Sequence, residues 1–123
     1  MKSLSLADLK RFPDSVLINQ PGPGYFRQVL NGISIDSRTT EPNKVFWALK
    51  GPRFDGHDFV IDAIHKGVLA AVVEKKYAKR YEGLGIPIIL VRDTLSALQK
   101  LAAIHRRKFK IPVVAITGSN GKT

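Results

Sequence analysis

The residues best suited to chemistry form a glycine-rich group at the end of the sequence: Gly118, Ser119, Asn120, Gly121, Lys122 and Thr123. The group follows an apolar run at residues 112–116, the setting of a phosphate-binding loop after a buried strand. Glycines let backbone N–H groups turn towards phosphate oxygens, while Lys122 would meet the β- and γ-phosphates and the Thr123 hydroxyl would ligate Mg²⁺. The pattern predicts a phosphate-binding loop with Thr123 as a magnesium ligand.

The spacing of these glycines departs from the usual Walker motif. That motif has its first glycine five residues before the second, and the corresponding position here is Ile116. The sequence therefore has the variant Gly118-x-x-Gly121-Lys122-Thr123, for which a plain glycine-rich turn is the structural alternative. The apolar strand that precedes the group favours the phosphate loop.

Short apolar runs alternate with helical patterns along the chain and would position this loop. Alternating or continuous apolar residues predict strands at residues 16–19, 32–36, 45–49, 69–73, 86–91 and 112–116. Helical spacing predicts helices at residues 4–12, 58–66 and 93–109. Pro13 and Gly67 would end the first two helices, and Asp93 would cap the third. These elements indicate an α/β fold with a small mixed, partly parallel sheet flanked by helices.

Three segments of the sequence together resemble the Mur ligases, the ATP-dependent ligases of bacterial cell-wall synthesis. Thr117–Thr123 is similar to the family's ATP loop, which reads Thr-Gly-[Ser/Thr]-x-Gly-Lys-[Thr/Ser]. Ile35–Arg38 and Phe46–Phe59 are similar to the N-terminal substrate domain of the members that add the third residue or the final dipeptide. The first segment alone would also fit folylpolyglutamate synthases, but the order and spacing of all three fit the Mur ligases.

Within the family, Leu49–His57 and Ser119 are most similar to the MurF type. The resemblance then implies that D-alanyl-D-alanine is added to UDP-N-acetylmuramoyl-tripeptide in peptidoglycan precursor synthesis, which serves cell-wall biogenesis, cell shape and cell division. ATP and Mg²⁺ would activate the tripeptide carboxylate as an acyl phosphate. The MurE type, which adds the third peptide residue, is the alternative. Gly67-Val68 departs slightly from the family's usual Gly-Ala.

The resemblance also implies a division of the chain into two parts. Residues 1–85 would form the UDP-sugar-binding N-terminal domain, and residues 86–123 would begin the central ATP-binding domain with its first helix and strand. The family's remaining magnesium ligands, its modified lysine and its C-terminal domain would lie beyond Thr123. We therefore expect the chain to be a monomer that binds the UDP-sugar but does not catalyse alone.

By this resemblance, the UDP part of the nucleotide sugar is held by Ser37, Arg38, Lys50, Arg53, Phe54, Asp55 and His57. The residue types suit this role, since a serine hydroxyl donates to phosphate oxygens, arginine forks suit a diphosphate, and lysine and histidine are further donors. The phenylalanine could pack against uracil, and the aspartate could accept from the ring N–H or from ribose.

Some of these residues, and some neighbours, have structural alternatives. Asp36 has two equally supported roles. It contacts the ligand, or it has a structural role in which it pairs with the nearby arginine or caps a turn. Asp55-Gly56 is a turn dipeptide, and His57 near a helix start is more often a hydrogen-bonded structural residue than a catalyst. Trp47 and Phe46 are expected in the core.

The composition limits the function classes. The net charge of +10 over 123 residues favours an anionic partner, which is a nucleotide, a phosphosugar or nucleic acid. A small basic nucleic-acid-binding domain is the alternative from another class, although no RNP-like, KH-type or zinc-finger motif is visible. A free-standing P-loop kinase is disfavoured because the loop stands at the C-terminus.

The sequence has no cysteine, which excludes a disulfide framework and a thiolate metal site. His65 and His105 have no companion at metal-ligand spacing. No apolar run approaches the roughly 20 residues of a membrane span. We therefore expect a cytoplasmic protein without a membrane span and without a nucleic-acid partner.

Overall fold

The computed structural model describes Leu9, residues 14–19 and residues 32–105. Its strands are β1 (Val16–Ile18), β2 (Ile33–Ser34), β3 (Val45–Trp47), β4 (Ala70–Glu74) and β5 (Ile88–Val91). Its helices are α1 (Val60–His65) and α2 (Thr94–His105), with 3-10 helices at Gly56–Phe59 and Lys75–Tyr81. The predicted α/β fold and each strand predicted within these residues are confirmed, with some strand ends shifted.

The described strands form one sheet in the order β1-β5-β4-β3-β2. Neighbours from β2 to β5 are parallel, and β1 pairs antiparallel with β5, so the sheet is mixed as predicted. All four residues of β5 are buried, as are the first four residues of β4. Continuous apolar runs suit these strands because helices or loops cover both faces of a parallel sheet.

Each face of the sheet carries its own apolar core, because successive side chains of a strand point to opposite faces. On the first face, Trp47, Val72 and Ile89 pack with Leu98 and Leu101 of α2. On the second face, the core comprises Phe46, Ala71, Val73, Ile88, Leu90, Val60, Ala63 and Tyr81, among others. The prediction that Trp47 and Phe46 belong to the core is confirmed, since they are 0% and 1% exposed.

Polar contacts also join elements that are distant in sequence. The indole Nε1 of Trp47 donates to the carbonyl oxygen of Thr94 at 2.7 Å, which fixes the start of α2 against β3. Asn19, directly after β1, donates from Nδ2 to the carbonyl oxygen of Tyr81 at 2.7 Å and accepts from the Gly83 amide at 3.0 Å. These bonds secure the short edge strand β1 to the turn before β5.

The helix ends follow their predicted signals. After α1, Gly67 has φ +93°, and the Val68 amide donates to the carbonyl oxygen of Ala63. Glycine suits such a left-handed helix end because it has no Cβ to clash with the backbone. At the start of α2, Asp93 accepts from the Ser96 amide at 3.1 Å, so its predicted role as a cap is confirmed.

The predicted boundary between residues 85 and 86 falls between β4 and β5. These two strands pair in register over Ala71–Glu74 and Ile88–Val91, and α2 packs on the same sheet. Where a second domain begins therefore stays a prediction. The helix predicted at residues 4–12, apart from Leu9, the strand at residues 112–116 and the phosphate loop lie outside the described residues.

Among the described residues, no helix combines the length and apolar character needed to cross a membrane.

Candidate functional site

A pocket of about 260 Å³ lies where the chain leaves two parallel strands, β2 and β3. It is lined by Ile35, Asp36, Ser37, Arg38, Phe46, Phe54, Gly56 and Phe59. Because the carboxyl ends of parallel strands meet at one edge of a sheet, the segments that follow them come together there. The pocket therefore has a polar wall after β2 and an aromatic wall built from β3 and the segment after it.

The polar wall is a turn organised by Asp36. Its carboxylate accepts from the Arg38 amide at 2.9 Å, and its carbonyl oxygen accepts from the Thr39 amide at 3.2 Å. The Ser34 hydroxyl also donates to this carbonyl oxygen, at 3.1 Å. Ser37 lies within the turn and is 6% exposed. Local hydrogen bonds of this kind explain why an aspartate begins the turn.

The Asp36 carboxylate also holds the Arg38 guanidinium in a two-bond pair. Arg38 Nε donates to Oδ1 at 3.1 Å, and Nη2 donates to Oδ2 at 3.0 Å. The side-chain and backbone hydrogen bonds from Arg38 lower the pKa of Asp36. The arginine side chain is 84% exposed, and its Nη1 is not used in this pair. Arg38 can therefore donate to an incoming anion while Asp36 keeps its plane oriented.

The aromatic wall consists of three phenylalanines with different exposure. Phe46 is buried in β3, whereas Phe54 is 55% exposed. The rings of Phe54 and Phe59 meet edge to face with centroids 5.9 Å apart. An exposed ring supported by a second ring offers a flat apolar surface to a planar ligand.

The segment after β3 is a closed loop, Lys50–Asp55, whose ends form an isolated antiparallel bridge. We call this segment the ligand loop. The Gly51 amide donates to the Phe54 carbonyl oxygen at 2.8 Å, and the Gly56 amide donates to the Leu49 carbonyl oxygen at 2.8 Å. A Cβ at Gly56 would lie 2.8 Å from the Leu49 nitrogen and 2.9 Å from its oxygen. Only glycine allows this close backbone approach.

Asp55 and His57 anchor the end of the ligand loop. Asp55 Oδ1 accepts from the His57 amide at 3.0 Å and lies 2.6 Å from His57 Nδ1. Burial acts to raise the pKa of Asp55, but the hydrogen bonds from the His57 amide and ring outweigh it and lower the pKa. The His57 side chain is fully buried. Within the described residues, His57 is thus a hydrogen-bonded structural residue, which is the alternative that the sequence offered.

The predicted UDP-binding residues occupy three positions relative to the pocket. Ser37, Arg38 and Phe54 line it. Lys50 and Arg53 are exposed on the ligand loop next to Phe54. Asp55 and His57 are not among the lining residues and support the loop from its inner side. The six predicted ATP-loop residues lie outside the described residues, so their role remains a prediction.

The residues Ile35, Phe46, Gly56 and Phe59 also line the pocket, although the sequence did not single them out as ligand contacts. Alternation in β3 indicates that Phe46 faces away from Trp47, but it does not say which face holds a pocket. Phe59 stands in a 3-10 helix, whose geometry the sequence pattern did not indicate. In the described residues, no group of three or more His, Cys, Asp and Glu side chains could hold a metal ion.

Comparison with known proteins assigns the chain to a family. A family model described as "Mur ligase family, catalytic domain" matches residues 29–106, which is more than half of the chain. The chain belongs to the Mur ligase family. This Mur ligase chain is 38% identical over 115 residues to the UDP-N-acetylmuramoyl-tripeptide--D-alanyl-D-alanine ligase of Bacillus subtilis. The match covers 94% of this chain and 25% of that protein.

Relatives of a second kind have comparable sequence identity. The UDP-N-acetylmuramoyl-L-alanyl-D-glutamate--2,6-diaminopimelate ligase of Aquifex aeolicus is 38% identical over 96 residues, covering 76% of this chain and 19% of that protein. Among solved structures, MurF from Acinetobacter baumannii superposes with a TM-score of 0.69 at 29% identity, covering 87% of this chain and 22% of that chain. The Mur ligase chain thus spans about a quarter or less of these relatives.

Proposed function

We propose that this chain provides the uridine-diphosphate site of an ATP-dependent Mur ligase that adds D-alanyl-D-alanine to UDP-N-acetylmuramoyl-tripeptide. The observation that carries the proposal is the pocket between the Asp36–Arg38 turn and the aromatic wall, in a chain similar to ligases named for that reaction. Such a ligase would act in peptidoglycan precursor synthesis.

The two walls of the pocket match the two chemical parts of the ligand. The exposed ring of Phe54, backed by Phe59, suits stacking with uracil. At the opposite wall, the Ser37 hydroxyl and the outer guanidinium edge of Arg38 suit the diphosphate. Uracil would therefore lie towards the ligand loop and the diphosphate towards the turn after β2.

The remaining predicted contacts come from the ligand loop itself. Lys50 and Arg53 are exposed there, and their positive charges would attract the anionic nucleotide to the pocket. Asp55 would accept from the uracil N–H or from ribose, and His57 would take part through Asp55. The chain's net charge of +10 is consistent with a doubly anionic ligand group.

The reaction of the whole enzyme would be carboxylate activation. The tripeptide carboxylate would attack the γ-phosphorus of ATP and release ADP, and the amine of D-alanyl-D-alanine would then displace phosphate from the acyl phosphate to form the amide. Lys122 would meet the transferring phosphoryl group, and Mg²⁺ near Thr123 would neutralise its charge. We propose that residues 1–123 alone do not turn over, because they match only 25% of the length of the Bacillus subtilis ligase.

Calorimetric titration of the 123-residue chain with UDP-N-acetylmuramoyl-tripeptide tests the proposed site directly. Arg38→Ala, Arg53→Ala and Phe54→Ala should each weaken binding, with about a tenfold loss for Arg38 because a charge-assisted contact is removed. Lys79→Ala and Leu95→Ala are the matched controls, since both residues are exposed and do not line the pocket.

Two results would contradict the proposal. Unchanged affinity in all three variants would mean that the pocket and the ligand loop do not bind the nucleotide. Steeply salt-dependent binding to arbitrary DNA, without any response to UDP-sugars, would favour the nucleic-acid-binding alternative instead.

The MurE-type reaction is the second candidate, because relatives named as diaminopimelate ligases have similar identity to this chain. The two candidate reactions share the binding of the UDP part of the substrate, and they differ in the peptide and in the incoming amine. Assaying the whole enzyme with the tripeptide plus D-alanyl-D-alanine, and separately with the L-alanyl-D-glutamate substrate plus diaminopimelate, separates them. Turnover of the second pair alone would reject the MurF-type assignment.

A further inference from the structure

His57 is a buried polar residue near the pocket that contacts residues distant in sequence. Its Nδ1 lies 2.6 Å from Asp55 Oδ1, and its Nε2 accepts from the Glu74 amide at 3.0 Å. Its ring meets that of Tyr77 at a centroid distance of 4.5 Å, and its carbonyl oxygen accepts from the Tyr81 hydroxyl at 2.7 Å. The ring is therefore held between the ligand loop and the end of β4.

These partners determine which ring nitrogen carries the proton. A backbone amide can only donate, so Nε2 must be the unprotonated acceptor facing Glu74. Nδ1 then carries the hydrogen and donates to the Asp55 carboxylate. The ring is neutral in this arrangement, and the full negative charge of Asp55 remains at the end of the ligand loop.

We propose that His57, in its Nδ1–H tautomer, is a positioning residue that fixes Asp55 and thereby the ligand loop for binding uridine diphosphate. The inference rests on the proposed function, because it concerns the same pocket. Asp55 directly follows the exposed ring of Phe54 and pairs with Lys50 at the other end of the loop. Holding Asp55 against β4 therefore sets the position of both the aromatic and the basic contacts.

The positioning role differs from a purely structural role in what it predicts. A structural histidine would affect folding alone, and folded molecules without it would bind the nucleotide normally. A positioning histidine would affect the nucleotide affinity of molecules that remain folded, and it would do so through Asp55. The two hydrogen bonds of the His57 ring can be removed one at a time, because asparagine and glutamine each reproduce only one of the two ring nitrogens.

The first measurement uses the unmodified 123-residue chain. Nitrogen-15 NMR of the histidine rings should show His57 protonated at Nδ1 and unprotonated at Nε2 at neutral pH. A ring protonated at Nε2, or at both nitrogens, would overturn the proposal. This measurement requires no ligand, so it tests the tautomer even if the proposed function fails.

The second measurement compares His57→Asn and His57→Gln by titration with uridine diphosphate. The asparagine amide can replace the Nδ1–H donor to Asp55, whereas the glutamine carbonyl can replace only the acceptor for Glu74. We expect His57→Gln to bind about tenfold more weakly than His57→Asn. His65→Gln, which changes an exposed histidine of α1, should bind as the unmodified chain does.

Asp55→Asn and its combination with His57→Gln complete the test. Because His57 acts through Asp55, the double variant should bind no more weakly than Asp55→Asn alone, which is a non-additive result. Thermal unfolding identifies the variants that remain folded. If folded His57→Gln matches the unmodified chain in affinity, or if the two losses add, the positioning role is wrong. If the unmodified chain does not bind uridine diphosphate, the proposed function fails instead.

Discussion

The two segments that form the pocket follow parallel strands but are held in different ways. Most contacts that hold the Asp36–Arg38 turn join near neighbours in sequence, and the side chains of its ion pair are 35% and 84% exposed. One exposed bond from a distant residue, Lys66 Nζ, reaches the Arg38 carbonyl oxygen at 3.1 Å. The end of the ligand loop is held by a fully buried histidine that reaches Glu74 and Tyr81. Exposed pairs add little stability, whereas buried hydrogen bonds are costly to break. The turn is therefore open to ligand, and the loop depends on the fold.

The largest effect is expected from a substitution that forces the ligand loop away from β3. Gly56→Ala should lower the free energy of unfolding by about 3 kcal/mol, because overpacked sites cost this much. The new Cβ would lie 2.8 Å and 2.9 Å from backbone atoms of Leu49. Urea denaturation followed by tryptophan fluorescence provides the measurement.

Gly85→Ala is the matched control, since a Cβ there meets nothing within 4 Å. It should change the free energy of unfolding by less than about 0.5 kcal/mol. Equal effects of the two substitutions would mean that the close approach at Gly56 is absent.

A smaller effect is expected from removing the Tyr81 hydroxyl, which donates to the His57 carbonyl oxygen at 2.7 Å. Tyr81→Phe should lower the free energy of unfolding by about 1 kcal/mol, the usual net value of one hydrogen bond. Burial raises the pKa of Tyr81 from 10.0 to about 12.

The sign of the pH effect follows from the raised pKa of Tyr81. The folded state favours the neutral form of the Tyr81 hydroxyl. The stabilisation of the fold by this neutral hydroxyl is complete below pH 10 and is lost as the pH rises towards 12. Chemical denaturation at several alkaline pH values should show a steeper loss for the unmodified chain than for Tyr81→Phe. Parallel pH curves for the two proteins would contradict this assignment.

The smallest effect is expected from titrating the two aspartates, and it distinguishes the exposed turn from the anchored loop. The pKa values of Asp36 and Asp55 are both lowered from 3.8, so each carboxylate stabilises the fold above that pH. This stabilisation is lost as the pH falls further, through the lowered pKa values of the two carboxyl groups. Asp55→Asn should reduce the acid sensitivity of unfolding more than Asp36→Asn, because solvent screens the exposed pair.

Acid denaturation of the two variants, each compared with the unmodified chain, measures this difference. A larger change in acid sensitivity for Asp36→Asn than for Asp55→Asn would reverse the comparison and identify the turn as the more strongly held segment.

Much of the local structure could be predicted from residue patterns. Val45–Trp47 and Ile88–Val91 were recognisable because continuous apolar runs favour buried strands. Gly67 indicated the end of a helix because glycine readily adopts the left-handed conformation found there. Asp93 indicated the start of a helix because its carboxylate can accept from a backbone amide of the first turn. Ser37, Arg38 and Phe54 could be proposed as pocket residues through the family resemblance and their chemistry.

The partners of individual side chains could not be predicted in the same way. Asp36 had two equally supported roles, and the ion pair with Arg38 depended on the turn conformation. The link from His57 to Glu74 joins residues that are 17 positions apart and has no signal in the local pattern. Phe59 joins the pocket because a 3-10 helix turns it towards Phe54.

The sequence by itself determined which described segments are strands and α-helices, since the period of apolar residues and the residues at segment ends are local properties. It also contained the motifs that resemble the Mur ligases. Tertiary structure alone decided that β1 joins the sheet antiparallel beside β5, that the segments after β2 and β3 face each other across a pocket, and that His57 is buried. These outcomes depend on how distant segments pack, because the free energy of burial is shared between them.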